Sequence, residues 1–404
     1  MTKFSKILPN IPVDILIELF SSLPIETLVR CRSVCKLWCN ILDDLKFIYD
    51  HLEKGPFEFT HLALCKDETQ ETNLIKLRKR RNRFYNFYLL KVDNSFGILD
   101  KVWKKSENPT NIMMKSKSFI VGCSKGVVCF IREKKLHFVN PLFLNDVVTV
   151  PLPPLTMDLM EGHDYSSYLS YSFGFDESSK RFKVICILQC HYGCGRGNST
   201  SAPLVLDLGI GKSSSCREVC WRSLLSKSIR HPCIRSKGCQ SVFVDGAFVF
   251  LGRRRSPGCG NLEILSFNLE KETFKTITLP ISAPVLDNRM SLFDFNGSIG
   301  LLGLVGGETM WIWVLDLYKD ITTWIVKFLI KVPTNWFESV HALGINKANC
   351  EIMFKINFGG YYAYNMKTGI TTAPLDCPPG LDRILLQQGS LIRASNLTPL
   401  DCSS

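Results

Sequence analysis

Three short groupings in this chain hold residue types that could do chemistry. Gly122-Cys123-Ser124-Lys125-Gly126 has the Gly-x-Ser-x-Gly spacing of a nucleophile elbow, in which a serine sits on a sharp turn between a strand and a helix. The following run, Val127-Val128-Cys129-Phe130-Ile131, continues as β-type sequence, so the helix that an elbow needs is missing. Gly211-Lys212-Ser213 has the ending of a phosphate-binding loop, but Leu206 stands where that loop needs its first glycine. Ser214-Ser215-Cys216 then opens no convincing helix. Cys186, Cys190, His191 and Cys194 lie close enough for zinc, yet the spacing is not a Cys-x-x-Cys pair and Cys186 sits in an apolar strand, so buried or loop thiols are favoured. No acid and base constellation stands out. No catalytic residue, metal or cofactor is therefore assigned, and the chain is read as non-enzymatic.

Charge is the next chemical feature. The 404 residues carry 49 Lys and Arg against 37 Asp and Glu, a formal +12. Residues 1–55 hold seven of each sign, so the whole excess lies beyond them. Six positive charges crowd into Lys76, Arg78, Lys79, Arg80, Arg81 and Arg83. Such a run could bind acidic protein or nucleic acid, and Arg78, Lys79, Arg80 and Arg81 form a candidate nuclear address; a solvated loop is the simpler reading. Arg253-Arg254-Arg255 precedes Ser256-Pro257-Gly258 and reads as a loop tip. Seventeen cysteines would suggest disulfides in a secreted protein, but Met1 to Lys6 lead into Asp14 and Glu18 without an apolar signal core. Reduced thiols are expected. No stretch reaches the ~18 apolar residues of a membrane helix. A soluble protein of the nucleus and/or cytoplasm is the expectation.

The elements that would position these groups fall into two kinds. In residues 1–55, Ile11, Ile15, Leu19, Leu28, Val34, Leu37, Trp38 and Ile41 recur at three- and four-residue steps, with a break at Leu23-Pro24. That spacing predicts three short helices with apolar faces. Pro12 and Pro24 fit first helical turns, since proline has a helical φ and lacks the N–H that would go unpaired there. About fifty residues hide only about 60% of their unfolded surface, so a partner surface is expected to cover the rest.

The run resembles the F-box, whose pattern is met by Ile11-Pro12, Ile15-Leu16, Glu18, Leu23-Pro24, Arg30, Val34-Cys35-Lys36 and Trp38. Ile11 departs from the family's leading Leu, a volume-conserving change. The resemblance implies docking onto a Skp-type adaptor, and through it onto a cullin-RING scaffold. It assigns that contact to Ile11, Pro12, Ile15, Leu16, Leu19, Leu23, Pro24, Leu28, Val34, Cys35 and Trp38.

Residues 56–404 change to short β-rich segments separated by Gly, Pro, Asn and Asp. One segment type returns, an apolar strand ending in Asp or Asn: Leu89–Asp93, Leu136–Asn140, Leu204–Asp207, Ile264–Asn268, Ile312–Asp316 and Tyr361–Asn365. Their ends are 47, 67, 61, 48 and 49 residues apart, near the ~40–50 of a propeller blade with two insertions. Several copies lead to Val150-Pro151-Leu152-Pro153, Trp221-Arg222, Leu279-Pro280 or Trp324. About six blades are expected; a β-sandwich is the competing reading. Gly122–Cys129, Phe138-Val139-Asn140-Pro141, Phe173-Gly174-Phe175-Asp176, Phe182-Lys183-Val184 and Trp313-Val314-Leu315 resemble phrases of the kelch-like F-box-associated domain of plant F-box proteins. The fold class expected is therefore α+β multidomain, a small N-terminal helical F-box (1–55) followed by a mainly-β propeller-type domain (56–404). Gly55-Pro56 favours a boundary there, and residues 56–404 are expected to enclose their own core.

The function these resemblances imply is that of a substrate receptor in an SCF-type ubiquitin ligase, which raises the effective concentration of an unknown target protein near bound ubiquitin. A nucleic-acid-associated regulator using residues 76–83 is the alternative of a different class, but it does not account for the F-box and nucleic acid is not expected as a partner. An S-locus-type receptor for a ribonuclease shares the architecture; were that target basic, the +12 charge would oppose association.

Overall fold

The computed structural model of the chain describes residues 11–54, 59–66, 85–90, 119–132, 135–140, 142–143, 146–153, 169–188, 203–211, 219–224, 241–253, 262–280, 290–305, 309–318, 321–331, 340–346, 350–356, 360–372, 381–388 and 390–400. Four helices open it: α1 (Val13–Ser21), α2 (Ile25–Cys31), α3 (Lys36–Leu42) and α4 (Leu45–Lys54). Pro12 and Pro24 stand at the N-caps of α1 and α2 with φ of −53° and −58°, one position before the expected first turn. Their carbonyls accept from Leu16 N and Leu28 N, both at 3.1 Å, and so start each helix. The three-helix reading misses α4. Its start is marked by Asp44, whose carboxylate accepts from Lys46 N at 3.0 Å and Phe47 N at 3.2 Å, pairing two amides that a helix start leaves open.

Strands β1 (Phe59–Lys66) and β2 (Tyr85–Leu90) come next, then β3 (Phe119–Ser124), β4 (Val127–Arg132), β5 (Lys135–Val139) and β6 (Val147–Pro151). They are followed by β7 (Leu169–Asp176), β8 (Arg181–Leu188), β9 (Leu204–Ile210) and the two-residue β10 (Arg222–Ser223). The next four are β11 (Val242–Val244), β12 (Ala247–Arg253), β13 (Leu262–Asn268) and β14 (Thr273–Thr278). Then come β15 (Met290–Phe295), β16 (Ser298–Val305), β17 (Thr309–Tyr318) and β18 (Ile321–Lys331). The last are β19 (Val340–Asn346), β20 (Glu351–Ile356), β21 (Gly360–Asn365), β22 (Leu381–Gln388) and β23 (Leu397–Pro399).

Among the described residues these form six antiparallel sheets. Sheet 1 has the order β2-β1-β22, and sheets 2 to 6 take β3–β6, β7–β10, β11–β14, β15–β18 and β19–β21 in sequence. The first strand of each sheet touches that of a neighbour: β3 meets β7, β11 meets β15, β15 meets β19, β19 meets β22, and β22 meets β3. Sheets 3 and 4 join where Ser172 Oγ donates to Ser241 Oγ at 2.5 Å. The sheets thus stand in a propeller-type ring. Its closure is the pairing of β1 with β22, Phe59 opposite Gln388 through to Cys65 opposite Leu381.

All six returning segments fall on the third strand counted from the ring's centre: β2, β5, β9, β13, β17 and β21. For the first of them, residues 91–93 lie outside the described residues. In three of the segments the closing Asn has a physical task, whereas Asp207 and Asp316 lie within β9 and β17. Asn140 Oδ1 accepts from Leu142 N, Asn268 Oδ1 from Lys271 N, and Asn365 Oδ1 from Lys367 N and Thr368 N, so each side chain turns the backbone out of its strand. The sequels mark outer strands, and their tryptophans reach the preceding sheet: Trp221 Nε1 donates to Pro151 O at 3.2 Å and Trp324 Nε1 to Thr278 O at 2.7 Å. First and second strands join through two-residue turns with positive φ at both positions, Lys125-Gly126, Asp245-Gly246 and Asn296-Gly297, the geometry that matches strand twist.

Sheets 3 and 4 are also held by charge. Lys183 Nζ is paired with Asp176 Oδ2 at 2.9 Å and donates to Leu269 O at 2.8 Å and Glu272 Oε1 at 3.1 Å, which uses all three ammonium protons. Arg222 joins the cluster through Asp207 at 2.8 Å and through Glu272. Burial alone would raise the Asp176 pKa, but hydrogen bonds from Ser178, Lys183 and Ser179 outweigh it and hold the carboxyl well below the usual carboxylate range.

The helices do not stand apart from this ring. Leu16, Phe20, Leu28, Leu42 and Phe47 belong to one apolar core with Phe138, Phe173 and Phe182 of sheets 2 and 3 and with Leu391, Ile392 and Leu397. Among the described residues this cluster is shared with the underside of the helices, while three further apolar clusters consist of residues beyond 56 alone. Leu45 packs against Gly211, Tyr49 Oη donates to Lys180 O at 3.3 Å, and Glu53 pairs with Lys180. Buried His51 donates from Nε2 to Leu23 O at 3.1 Å, since a carbonyl can only accept. Burial pushes this imidazole's pKa below its ordinary value, against a smaller opposing effect of the Leu23 bond.

Two outcomes are expected. Lys183→Met leaves Asp176 and Glu272 short of a cation, and denaturant unfolding should show a loss of about 3–5 kcal/mol. For His51, the unfolded imidazole takes its proton near about pH 6.5 while the folded one resists it, so its stabilising contribution is present above that pH and lost as pH falls. His51→Gln keeps a donor for Leu23 and should flatten the fall in melting temperature between about pH 7 and about pH 5.5.

Candidate adaptor-docking surface

Helix α1 is apolar around nearly its whole circumference, as Val13-Asp14-Ile15-Leu16-Ile17-Glu18-Leu19-Phe20 shows. Such a helix needs cover on more than one side. Leu16 and Phe20 supply the inner side, where the Phe20 ring meets Trp38 edge-on at 5.1 Å and Phe47 at 6.5 Å. The outer side is left in solvent. Ile15 is 48% exposed and Leu19 51% on one flank of α1, Val13 and Ile17 are exposed on its other flank, and Ile11 before α1, Val34 before α3, 61% exposed, and Leu37 on α3 add to them. Of the twelve exposed large apolar side chains among the described residues, seven lie between Ile11 and Leu37. Scattered exposed apolar residues are ordinary, whereas a concentration of this kind marks an interaction surface.

The residues assigned to the adaptor divide on this geometry. Ile11, Pro12, Ile15, Leu19, Val34 and Cys35 are exposed; Leu23, Pro24 and Trp38 are half-buried. Leu16 and Leu28 are corrected: at 5% and 0% exposure they pack inward and offer no surface. Periodicity marks a position as apolar without saying which side of a doubly covered helix it faces. Val13 and Ile17 are exposed apolar residues outside that assignment, and the signal for them was the apolar circumference of α1 itself; Leu37, exposed on α3, is a third. Inside the module, Arg32 pairs with Asp43 at 2.7 Å, tying the end of α2 to the end of α3. The Arg32 guanidinium also lies 5.1 Å over the Phe143 ring of sheet 2's loop.

The groupings that could have been catalytic are placed as follows. Ser124 ends β3 and the chain turns directly into β4, so the Gly122–Gly126 grouping is a hairpin. Burial pushes the Cys123 and Cys129 thiols up and raises Cys186 to about 12, which makes them unreactive. Seven described cysteines are free, while Cys220 is disulfide-bonded, against the expectation of reduced thiols. Cys190, His191, Cys194, Lys212, Ser213, Arg254, Arg255 and the basic run with Arg78, Lys79, Arg80 and Arg81 lie outside the described residues. Among the described residues no helix is long and apolar enough to cross a membrane.

Comparison with known proteins supplies the context for this surface. The sequence model of the F-box domain matches residues 8–50, and that of the F-box associated beta propeller domain matches residues 72–359. An F-box protein of Arabidopsis thaliana is 23% identical over 374 residues, which is 91% of this chain and 86% of that protein. An F-box/kelch-repeat protein of the same plant is 21% identical over 332 residues, 80% of each. Among solved structures, an oligogalacturonate lyase in complex with manganese aligns over 78% of this chain and 79% of its own, at 10% identity and a TM-score of 0.38. With a helical module at one end and a ring of antiparallel sheets after it, the chain belongs to the plant-type F-box proteins that carry an F-box associated beta propeller domain.

Proposed function

We propose that this protein is the non-catalytic substrate-recognition subunit of an SCF-type ubiquitin ligase. The observation that carries the reading is the concentration of exposed apolar side chains at Ile11, Val13, Ile15, Ile17, Leu19, Val34 and Leu37 on a module whose inner side is already packed. A Skp-type adaptor covers the flank of Ile15 and Leu19, and the cullin-RING scaffold joins through the adaptor. The ring holds the target protein, so that ubiquitin reaches the target's lysines by proximity rather than by chemistry on this chain.

The helices contact the loop after β5, the β7–β8 turn and the end of β9, which all lie at one end of the strands. A target is best accommodated on the other end of the ring, clear of the adaptor. The protein acts in the nucleus and/or cytoplasm, where such ligases work.

The test is a pair of charge substitutions on that flank. Ile15→Asp with Leu19→Asp places two carboxylates in an apolar contact and should abolish co-purification with a Skp-type adaptor, while the stability of the chain changes by no more than about 0.5 kcal/mol per site. Leu16→Asp is the contrast, since it buries a charge and should unfold the module. Full adaptor binding by the folded double variant would remove the reading.

A further inference from the structure

Asn140, in the Phe138-Val139-Asn140-Pro141 phrase, lies deep in the protein at 1% exposure. Its Nδ2 donates to Ser390 O at 2.9 Å and to Ile392 O at 2.8 Å. The partners are thus the chain that follows β22. Ser390, itself fully buried, donates its hydroxyl to Lys125 O at 2.5 Å. It also runs so close to Gly126 that a Cβ there would lie 2.8 Å from Ser390 N, which with a φ of 76° leaves glycine as the residue that fits.

The following residues reach the helices. Arg393 places its guanidinium 5.8 Å from the centre of the Phe143 ring, the ring that Arg32 of the helical module approaches at 5.1 Å. Asp146, from the same loop, accepts from Ser395 N and Ser395 Oγ, both at 3.0 Å, and pairs with Arg393 at 3.4 Å. Strand β23 then pairs with β9, Leu397 opposite Ile210 and Pro399 opposite Leu208, along the part of β9 that the two-residue β10 does not cover. Leu391, Ile392 and Leu397 lie in the apolar core that the helices complete.

We propose that residues 390–400 form a strap that fixes how the helical module sits on sheets 2 and 3, with Asn140 as its buried anchor and Phe143 as the positioning residue between Arg32 and Arg393. Three distant parts of the sequence meet at that ring, so removing it frees both guanidiniums at once. The inference deepens the ligase reading, because the seating of the module sets where an adaptor stands relative to a target, but the strap itself is a property of this chain alone.

Amide hydrogen exchange of the full chain tests it, with Phe143→Ala, Arg393→Ala and Phe143→Tyr. In both alanine variants, peptides covering α4 and residues 390–400 should exchange about tenfold faster, while those covering β16 and β17 stay as in the unaltered chain. Phe143→Tyr keeps a ring for both cations and should restore slow exchange. Exchange in α4 within about twofold of the unaltered chain in both alanine variants overturns the proposal. Equal acceleration in β16 and β17 overturns it as well, since Phe143 would then be a general packing residue. The readout needs no adaptor, so its failure is separate from failure of the docking test at Ile15 and Leu19.

Discussion

The pairing of β1 with β22 is the contact on which the rest of the ring depends. Sheets 2 to 6 are built from consecutive strands that local turns can bring together, with β23 added beside β9 in sheet 3, but sheet 1 needs residues 59–65 beside residues 381–388 before it forms at all. Closing the ring this way pairs β22, which would otherwise present both of its edges to another chain, with the far end of the sequence. It also fixes the direction in which the chain leaves β22. Ser390 emerges beside the Lys125-Gly126 turn, on the side where α4 rests, so the path of the last described residues follows from closure.

Neighbouring sheets are then held by groups that leave little freedom. The indole donors of Trp221 and Trp324 each find a backbone carbonyl in the preceding sheet, and the Lys183 and Arg222 cluster bridges sheets 3 and 4. Burying three carboxylates and two cations is costly in itself, and their attraction offsets it only where the hydrogen bonds are satisfied. Lys183 meets that condition with three acceptors. A slip of sheet 4 against sheet 3 would leave Lys183 without Leu269 O and Glu272, so the cluster fixes their relative position more than it adds to stability.

Local chemistry was the legible part of this sequence. The six returning segments were readable because alternating apolar residues and a side-chain oxygen that bends the backbone both act within a few residues. Helix α4 was missed because Phe47, Ile48, His51 and Leu52 are its buried positions, and a histidine among them hides the apolar stripe. Leu16 and Leu28 were placed outward because a helix covered on two sides carries apolar residues on both. Sheet closure and the role of Asn140 were not legible: Asn140 and its partners are 250 and 252 residues apart, and nothing near either end announces the other.

The order of synthesis gives the seat of the helices a further meaning. The helices are made before the ring, yet the surface beneath them includes Leu391, Ile392 and Leu397, which are made after β22. A nascent chain therefore offers its helices only the part of the seat that sheets 2 and 3 supply until β22 has been made. Final seating then reports that synthesis has passed Leu397, since a product ending before residue 390 would lack part of the surface on which the helices settle. The fold in this way links synthesis of residues 390–400 to the presentation of the helical module.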